Sequence, residues 1–126
     1  MSEKTRSEKF AQALQQLEQG NTEELLSMFA SGARLQRPEQ DRQGAEEDAE
    51  TFWEQYLGQF SEVSTEFERV VEAEDEGILE WRSTATLTAG KHIEYAGVSL
   101  LTFEGDEVTR FATYYDTAAF NSPTED

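Results

Sequence analysis

The sequence predicts an α+β domain in which helices come first and an antiparallel sheet follows. Apolar residues recur at helical spacing up to about residue 60. From Ser64 onward the pattern changes to long strand-like segments separated by turn residues, with no further helix pattern before the terminus. A chain of 126 residues has room for one such domain, 1–126, with its core expected over about 7–120.

Phe10, Ala13, Leu14 and Leu17 share one helical face and stop at Gly20, which predicts a first helix over 7–19. Asn21 and Glu24 read as a capping pair for a shorter second helix carrying Leu25, Leu26 and Phe29, ended by Ser31 and Gly32. Residues 33–37, closed by Pro38, form a short edge strand or extended segment, and 39–44 a polar loop. Ala45, Ala49, Phe52, Trp53, Tyr56, Leu57 and Phe60 make a wide apolar stripe on a third helix, which needs a sheet to cover it. Four long strands follow at about 65–73, 78–88, 92–104 and 107–116. Turns at 74–77, 89–90 and 105–106 join them into an antiparallel meander. Residues 121–126 form a polar tail.

Composition excludes several functions. Ten Lys and Arg stand against 27 Asp and Glu, a net charge of −17 that repels nucleic acid and anionic membranes. The acidic excess fits either a solvated surface or adaptation to a salty cytoplasm. With no cysteine and one histidine, disulfides, thiolate nucleophiles and the usual zinc sites are out of reach. Apolar runs are too short for a membrane span and the first ten residues lack a signal-peptide core, so the expected location is cytoplasmic.

Hairpin counting gives the sheet its faces. A two-residue loop at Ala89-Gly90 sets Thr84 opposite Tyr95, Arg82 opposite Gly97 and Glu80 opposite Ser99. A second at Gly105-Asp106 sets Ser99 opposite Ala112, Gly97 opposite Tyr114 and Tyr95 opposite Asp116. One face is thereby expected to present Glu80, Arg82, Thr84, Tyr95, Gly97, Ser99, Arg110, Tyr114 and Asp116 around a pocket walled by Trp53 and Tyr56. Its occupant is expected to be a small hydrophobic molecule, bound without cofactor or metal. Burial among aromatics raises the pKa of Asp116 and Arg82 lowers it, and the balance decides between a general base and half of an ion pair. The opposite face, with Leu79, Trp81, Leu100 and Phe111, is too apolar to stay wet and is assigned to a homodimer. His92 reads as an exposed turn residue, and the acidic run 72–76 as a solvated hairpin.

The order helix, helix, Phe29-Ala30-Ser31-Gly32-Ala33, short strand to Pro38, Gly44, aromatic helix and four strands resembles the nuclear transport factor 2-like superfamily. The turn Phe103-Glu104-Gly105-Asp106-Glu107-Val108, with Arg110 and Tyr114-Tyr115-Asp116, is most similar to its SnoaL-like polyketide cyclase and ketosteroid isomerase-related branch, over about residues 8–120. The resemblance implies a strongly curved, cone-shaped sheet wrapped around an apolar pocket, often in a homodimer. At the three positions where the isomerases carry a tyrosine and two aspartates, this chain has Phe10, Arg37 and Ser99, so that mechanism is not expected. The cyclases' acid–base aspartate matches Asp116, with Tyr114 or Tyr95 beside it to stabilise an oxyanion, while their assisting histidine has no match. Two readings stay open: a cofactor-independent cyclase or isomerase, and a non-catalytic binding or dimerisation module.

Overall fold

In the computed structural model, which describes residues 4–37, 48–116 and 118, Thr5 opens helix α1 (Arg6–Glu18) with a capping box. Its hydroxyl accepts from the Glu8 amide and the Glu8 carboxylate accepts from the Thr5 amide. Helix α2 (Glu23–Ser27) starts at Thr22 without a side-chain cap, so the expected Asn21 capping pair is not formed. Strand β1 (Phe29–Gln36) begins before Ser31 and Gly32, which were expected to end a helix. Asp48 caps α3 (Ala49–Leu57) by accepting from the Thr51 amide. Strands β2 (Phe60–Ala73), β3 (Glu76–Leu87), β4 (His92–Glu104) and β5 (Glu107–Tyr115) complete the chain. The expected loop at 39–44, Ala45 and the tail at 121–126 lie outside the described residues. None of the described helices is long and apolar enough to cross a membrane.

The strands form one open five-stranded sheet in the order β1-β5-β4-β3-β2. β2 to β5 are the expected antiparallel meander, and β1 joins its edge in parallel with β5. Bulges interrupt β2 near Glu68 and β5 near Thr109, and such extra residues bend a sheet locally. Helices α1 and α3 pack on the inner side. Phe111 of β5 is the floor on which they meet, its ring 5.6 Å from Phe10 of α1 and 5.4 Å from Trp53 of α3.

Two local features turn over the faces that hairpin counting assigns. The β3–β4 loop has three residues, 88–90, closed by the Leu87 amide donating to the Lys91 carbonyl at 2.8 Å, with Gly90 at φ +101° supplying the left-handed residue. Ser83, not Thr84, therefore stands opposite Tyr95, and Trp81 opposite Gly97. At the second hairpin Glu104 does face Glu107, but the bulge at Thr109 shifts every later pair by one, so Phe111, Thr113 and Tyr115 oppose Leu101, Ser99 and Gly97. A one-residue shift exchanges the two faces of a strand.

Consequently Glu80, Arg82, Thr84, Arg110 and Tyr114 are exposed on the outer face instead of lining a pocket. Asp116, just past β5, is exposed as well, with its carboxylate accepting from the Ala118 amide at 2.9 Å. Arg82 pairs not with Asp116 but with Glu68, at 3.3 Å. The expected dimer face divides in the same way: Leu79, Trp81 and Phe111 are buried inside, and only Leu100 of that set looks outward. Of the counted face, the β4 residues Tyr95, Gly97 and Ser99 do turn inward.

The acidic hairpin is not simply solvated. Glu72 accepts from the Ser7 amide at 2.8 Å, the Ser7 hydroxyl at 2.7 Å and the Arg6 guanidinium at 2.9 Å. Arg6 also donates to the Gly105 and Glu74 carbonyls and lies 4.5 Å over the Phe103 ring. Partial burial alone would raise the Glu72 pKa, but the combined donors from Ser7 and Arg6 outweigh it and hold the carboxyl below its ordinary value. This clasp anchors the start of α1 across two hairpins and so directs its far end, Glu18, toward β2.

Candidate active site

A cleft lies between α1, α3 and the inner face of the sheet, and its most distinctive group is Glu18, the last residue of α1. Phe10, Leu14 and Glu18 are four residues apart, so the carboxylate occupies the apolar stripe that turns inward. Oε1 accepts from the Thr65 amide at 2.9 Å and Oε2 accepts from the Thr65 hydroxyl. Thr65 stands opposite Ser83, whose hydroxyl is 2.6 Å from the Thr65 oxygen. With Thr65 committed as donor to an ionised Glu18, Ser83 donates to Thr65, and the three groups form a chain. Gln15 steadies it by donating to the Thr65 carbonyl at 3.0 Å.

Among the described residues no cation pairs with Glu18. Burial raises its pKa to about 7, and the two hydrogen bonds from Thr65 only partly oppose that rise. The end of a helix, where carbonyl oxygens gather, is also an unfavourable place for a negative charge. A carboxyl group poised near neutrality can both take up and release a proton at working pH.

On α3, Trp53 and Tyr56 are three residues apart and face the same cleft. The Tyr56 hydroxyl is hydrogen-bonded to that of Tyr95, which stands behind it on β4. Burial holds the Tyr56 pKa well above its ordinary value, reinforced by Tyr95, Tyr115 and Glu18. Tyr56 is thus a neutral hydroxyl, and when Tyr95 donates to it, its own proton is left for another acceptor. A second row of polar groups crosses the sheet: the Trp81 indole donates to the Ser99 hydroxyl at 2.9 Å, which lies 2.8 Å from that of Thr113. Ser99, expected as a ligand contact, lines the cleft but has its hydrogen-bonding capacity engaged by these neighbours.

The cleft has about 30 Å³ of free space, the room of roughly one water molecule. Its walls are mostly aromatic. A ring-sized occupant has to part them, which requires movement of side chains or of α3 relative to Phe111. His92 is exposed, 2.9 Å from the Thr86 hydroxyl and away from the cleft. Among the described residues no three carboxylate or histidine side chains are grouped to hold a metal ion.

The structure therefore brings together Trp53, Tyr56, Tyr95 and Ser99 of the expected set and leaves Glu80, Arg82, Arg110, Tyr114 and Asp116 outside. Sequence reasoning misses Glu18, Thr65 and Ser83. The available signal for Glu18 is its helical phase with Phe10 and Leu14, an acid at a position where the apolar stripe would continue.

A family model described as SnoaL-like domain matches residues 8–111. No curated protein sequence matches the chain significantly. Among solved structures, an NTF2-like protein of unknown function from Burkholderia pseudomallei superposes with a TM-score of 0.79 at 13% identity, covering 93% of this chain and 95% of its own. A protein assigned as a SnoaL-like polyketide cyclase from a Jannaschia species gives 0.75 at 15% identity over 98% and 99%. IdmH from Streptomyces antibioticus, also assigned as a polyketide cyclase, gives 0.73 at 16% identity over 90% and 94%. At these identities the structural likeness speaks for the fold.

Proposed function

The chain belongs to the SnoaL-like domain family, and from that premise we propose that it takes a small, neutral, ring-bearing carbonyl compound into the aromatic cleft and moves a proton on it without a cofactor. The observation that carries this reading is Glu18, a carboxylate with no cationic partner among the described residues, held by Thr65 at the edge of an apolar cleft. Ionised, Glu18 removes a proton from the carbon next to the carbonyl. The C–H electron pair passes through the carbon–carbon bond to the carbonyl oxygen, and the enolate accepts a hydrogen bond from Tyr56, itself supported by Tyr95. The Glu18 carboxylic acid then returns the proton. If it goes to another carbon the result is an isomerisation. If the enolate carbon first attacks a second carbonyl carbon, a ring closes and the proton goes to the new alkoxide. Glu18 here takes the part expected of Asp116.

Acetophenone in D₂O tests the step without knowledge of the natural substrate. The protein should exchange the methyl protons for deuterium faster than buffer does, with the rate rising through about pH 7 as Glu18 ionises. Glu18→Gln should lower the rate ~10²-fold or more, the usual contribution of a positioned base. A second reading, favoured by the narrowness of the cleft, is a non-catalytic binding module. Bound acetophenone exchanging no faster than in buffer would select it.

A further inference from the structure

Trp53 lines the cleft and is only 5% exposed, yet among the described residues its indole Nε1–H has no hydrogen-bond acceptor. A buried donor left without a partner is destabilising, so its persistence calls for an explanation. The other tryptophan shows the contrast: Trp81 is equally enclosed, and its Nε1–H is satisfied by Ser99. Phe52, Tyr56 and Phe111 surround Trp53 with ring faces and edges, at centroid distances of 5.1, 5.9 and 5.4 Å. Among the described residues, then, nothing accepts from this indole, and its donor is left for an acceptor that enters the cleft.

We infer that Trp53 orients the occupant by donating its indole N–H to an acceptor oxygen of the ligand, which makes it a specificity-determining residue of the cleft. The inference deepens the reading above and rests on it. It also narrows the ligand class. An indole N–H only donates, so the matching group is an acceptor such as a ketone or ester oxygen. An anionic group is disfavoured, because the cleft is lined by the carboxyl of Glu18 and, among the described residues, by no basic side chain, and the chain carries −17 overall. Phe111, touching rings from both α1 and α3, offers a flat floor for an aromatic ring. The occupant described by these features is a neutral aryl ketone or ester, with its oxygen on the α3 side of the cleft.

Acetophenone and ethylbenzene are a matched pair of probes, alike in shape and differing in the oxygen. The two tryptophans of the intact protein give two indole N–H signals in a nitrogen–proton spectrum, and Trp53→Phe identifies which belongs to Trp53. Acetophenone should move the Trp53 signal downfield while ethylbenzene does not, and Trp53→Phe should reduce the acetophenone-to-ethylbenzene affinity ratio roughly tenfold, the value of one hydrogen bond. An unchanged ratio, or a Trp53 signal that responds alike to both probes, would overturn the role of Trp53 while leaving the cleft reading intact. If neither probe binds, the cleft reading falls and Trp53's role with it. Binding with the indole shift but no proton exchange would retain the Trp53 contact and remove the acid–base chemistry.

Discussion

Gly97→Ala is expected to destabilise the protein by about 3 kcal/mol in urea unfolding, the upper end of what an added methyl group costs in a packed interior. A Cβ at this position falls 2.4 Å from the Tyr114 carbonyl oxygen and 2.7 and 2.9 Å from two carbons of the Trp81 ring. The carbonyl belongs to the neighbouring strand and cannot retreat without disturbing the β4–β5 ladder. The ring is held by its hydrogen bond to Ser99 and by edge contact with Tyr95, at 5.6 Å. Hairpin counting sets Gly97 on the pocket face opposite Arg82 and Tyr114; in the structure the space over it is filled by Trp81. Ala96→Ser, on the exposed side of the same strand, should leave stability within about 0.5 kcal/mol and serves as the control.

Glu18→Gln is expected to make the protein more stable in alkaline solution, at the cost of the proposed proton transfer. The carboxyl has a pKa of about 7 when folded against an ordinary 4.5. A raised folded value means that its favourable contribution is complete below pH 4.5 and disappears as pH climbs through 7, where the charge must be kept in the cleft. A difference of that size corresponds to roughly 3 kcal/mol at full ionisation. Glutamine keeps the shape and carries no charge: its amide oxygen accepts from the Thr65 amide, and its NH2 donates to the Thr65 hydroxyl, which turns to donate to Ser83. The variant should therefore exceed the parent by roughly 2–3 kcal/mol at pH 9, with the gap closing toward zero by pH 4.5. Chemical unfolding at a series of pH values reads this directly, and a gap independent of pH would contradict it. A carboxyl group that costs stability when charged fits the proposed role in proton transfer better than a role in packing.

The helices, the long strands and their order are legible in the sequence because each carries its own periodicity. Strand β4 occupies 92–104 as its pattern predicts. The two sides of β3 and β5 are not legible by counting from turns, because turn length and bulges are set by backbone geometry that residue identity only suggests. Ala89-Gly90 reads as a two-residue turn, yet Thr88 joins the loop; nothing in Thr88 itself announces this. The bulge at Thr109 is equally silent. Hydrophobicity was the better guide for β3, where Leu79, Trp81 and Ala85 alternate with Glu80, Arg82 and Thr84 and turn inward together. In β5, Tyr114 and Tyr115 put an aromatic ring on each face, so pattern alone does not decide. The site follows the same division. Trp53 and Tyr56 are visible on the α3 stripe, whereas Thr65 and Ser83 depend on register, and Glu18 stands out from other surface acids only when Thr65 is seen holding it.

The proposed chemistry stands on one property, that the carboxyl group at the end of α1 exchanges its proton near neutral pH inside the aromatic cleft. Carbon-13 labelling of glutamate side chains, with Glu18→Gln to identify the signal, gives the titration of that single carboxyl by NMR. A midpoint near pH 7 is the predicted result. A midpoint near 4.5, the ordinary value for glutamate, would mean that the cleft does not hold the Glu18 charge at a cost and would remove the basis for its role as base.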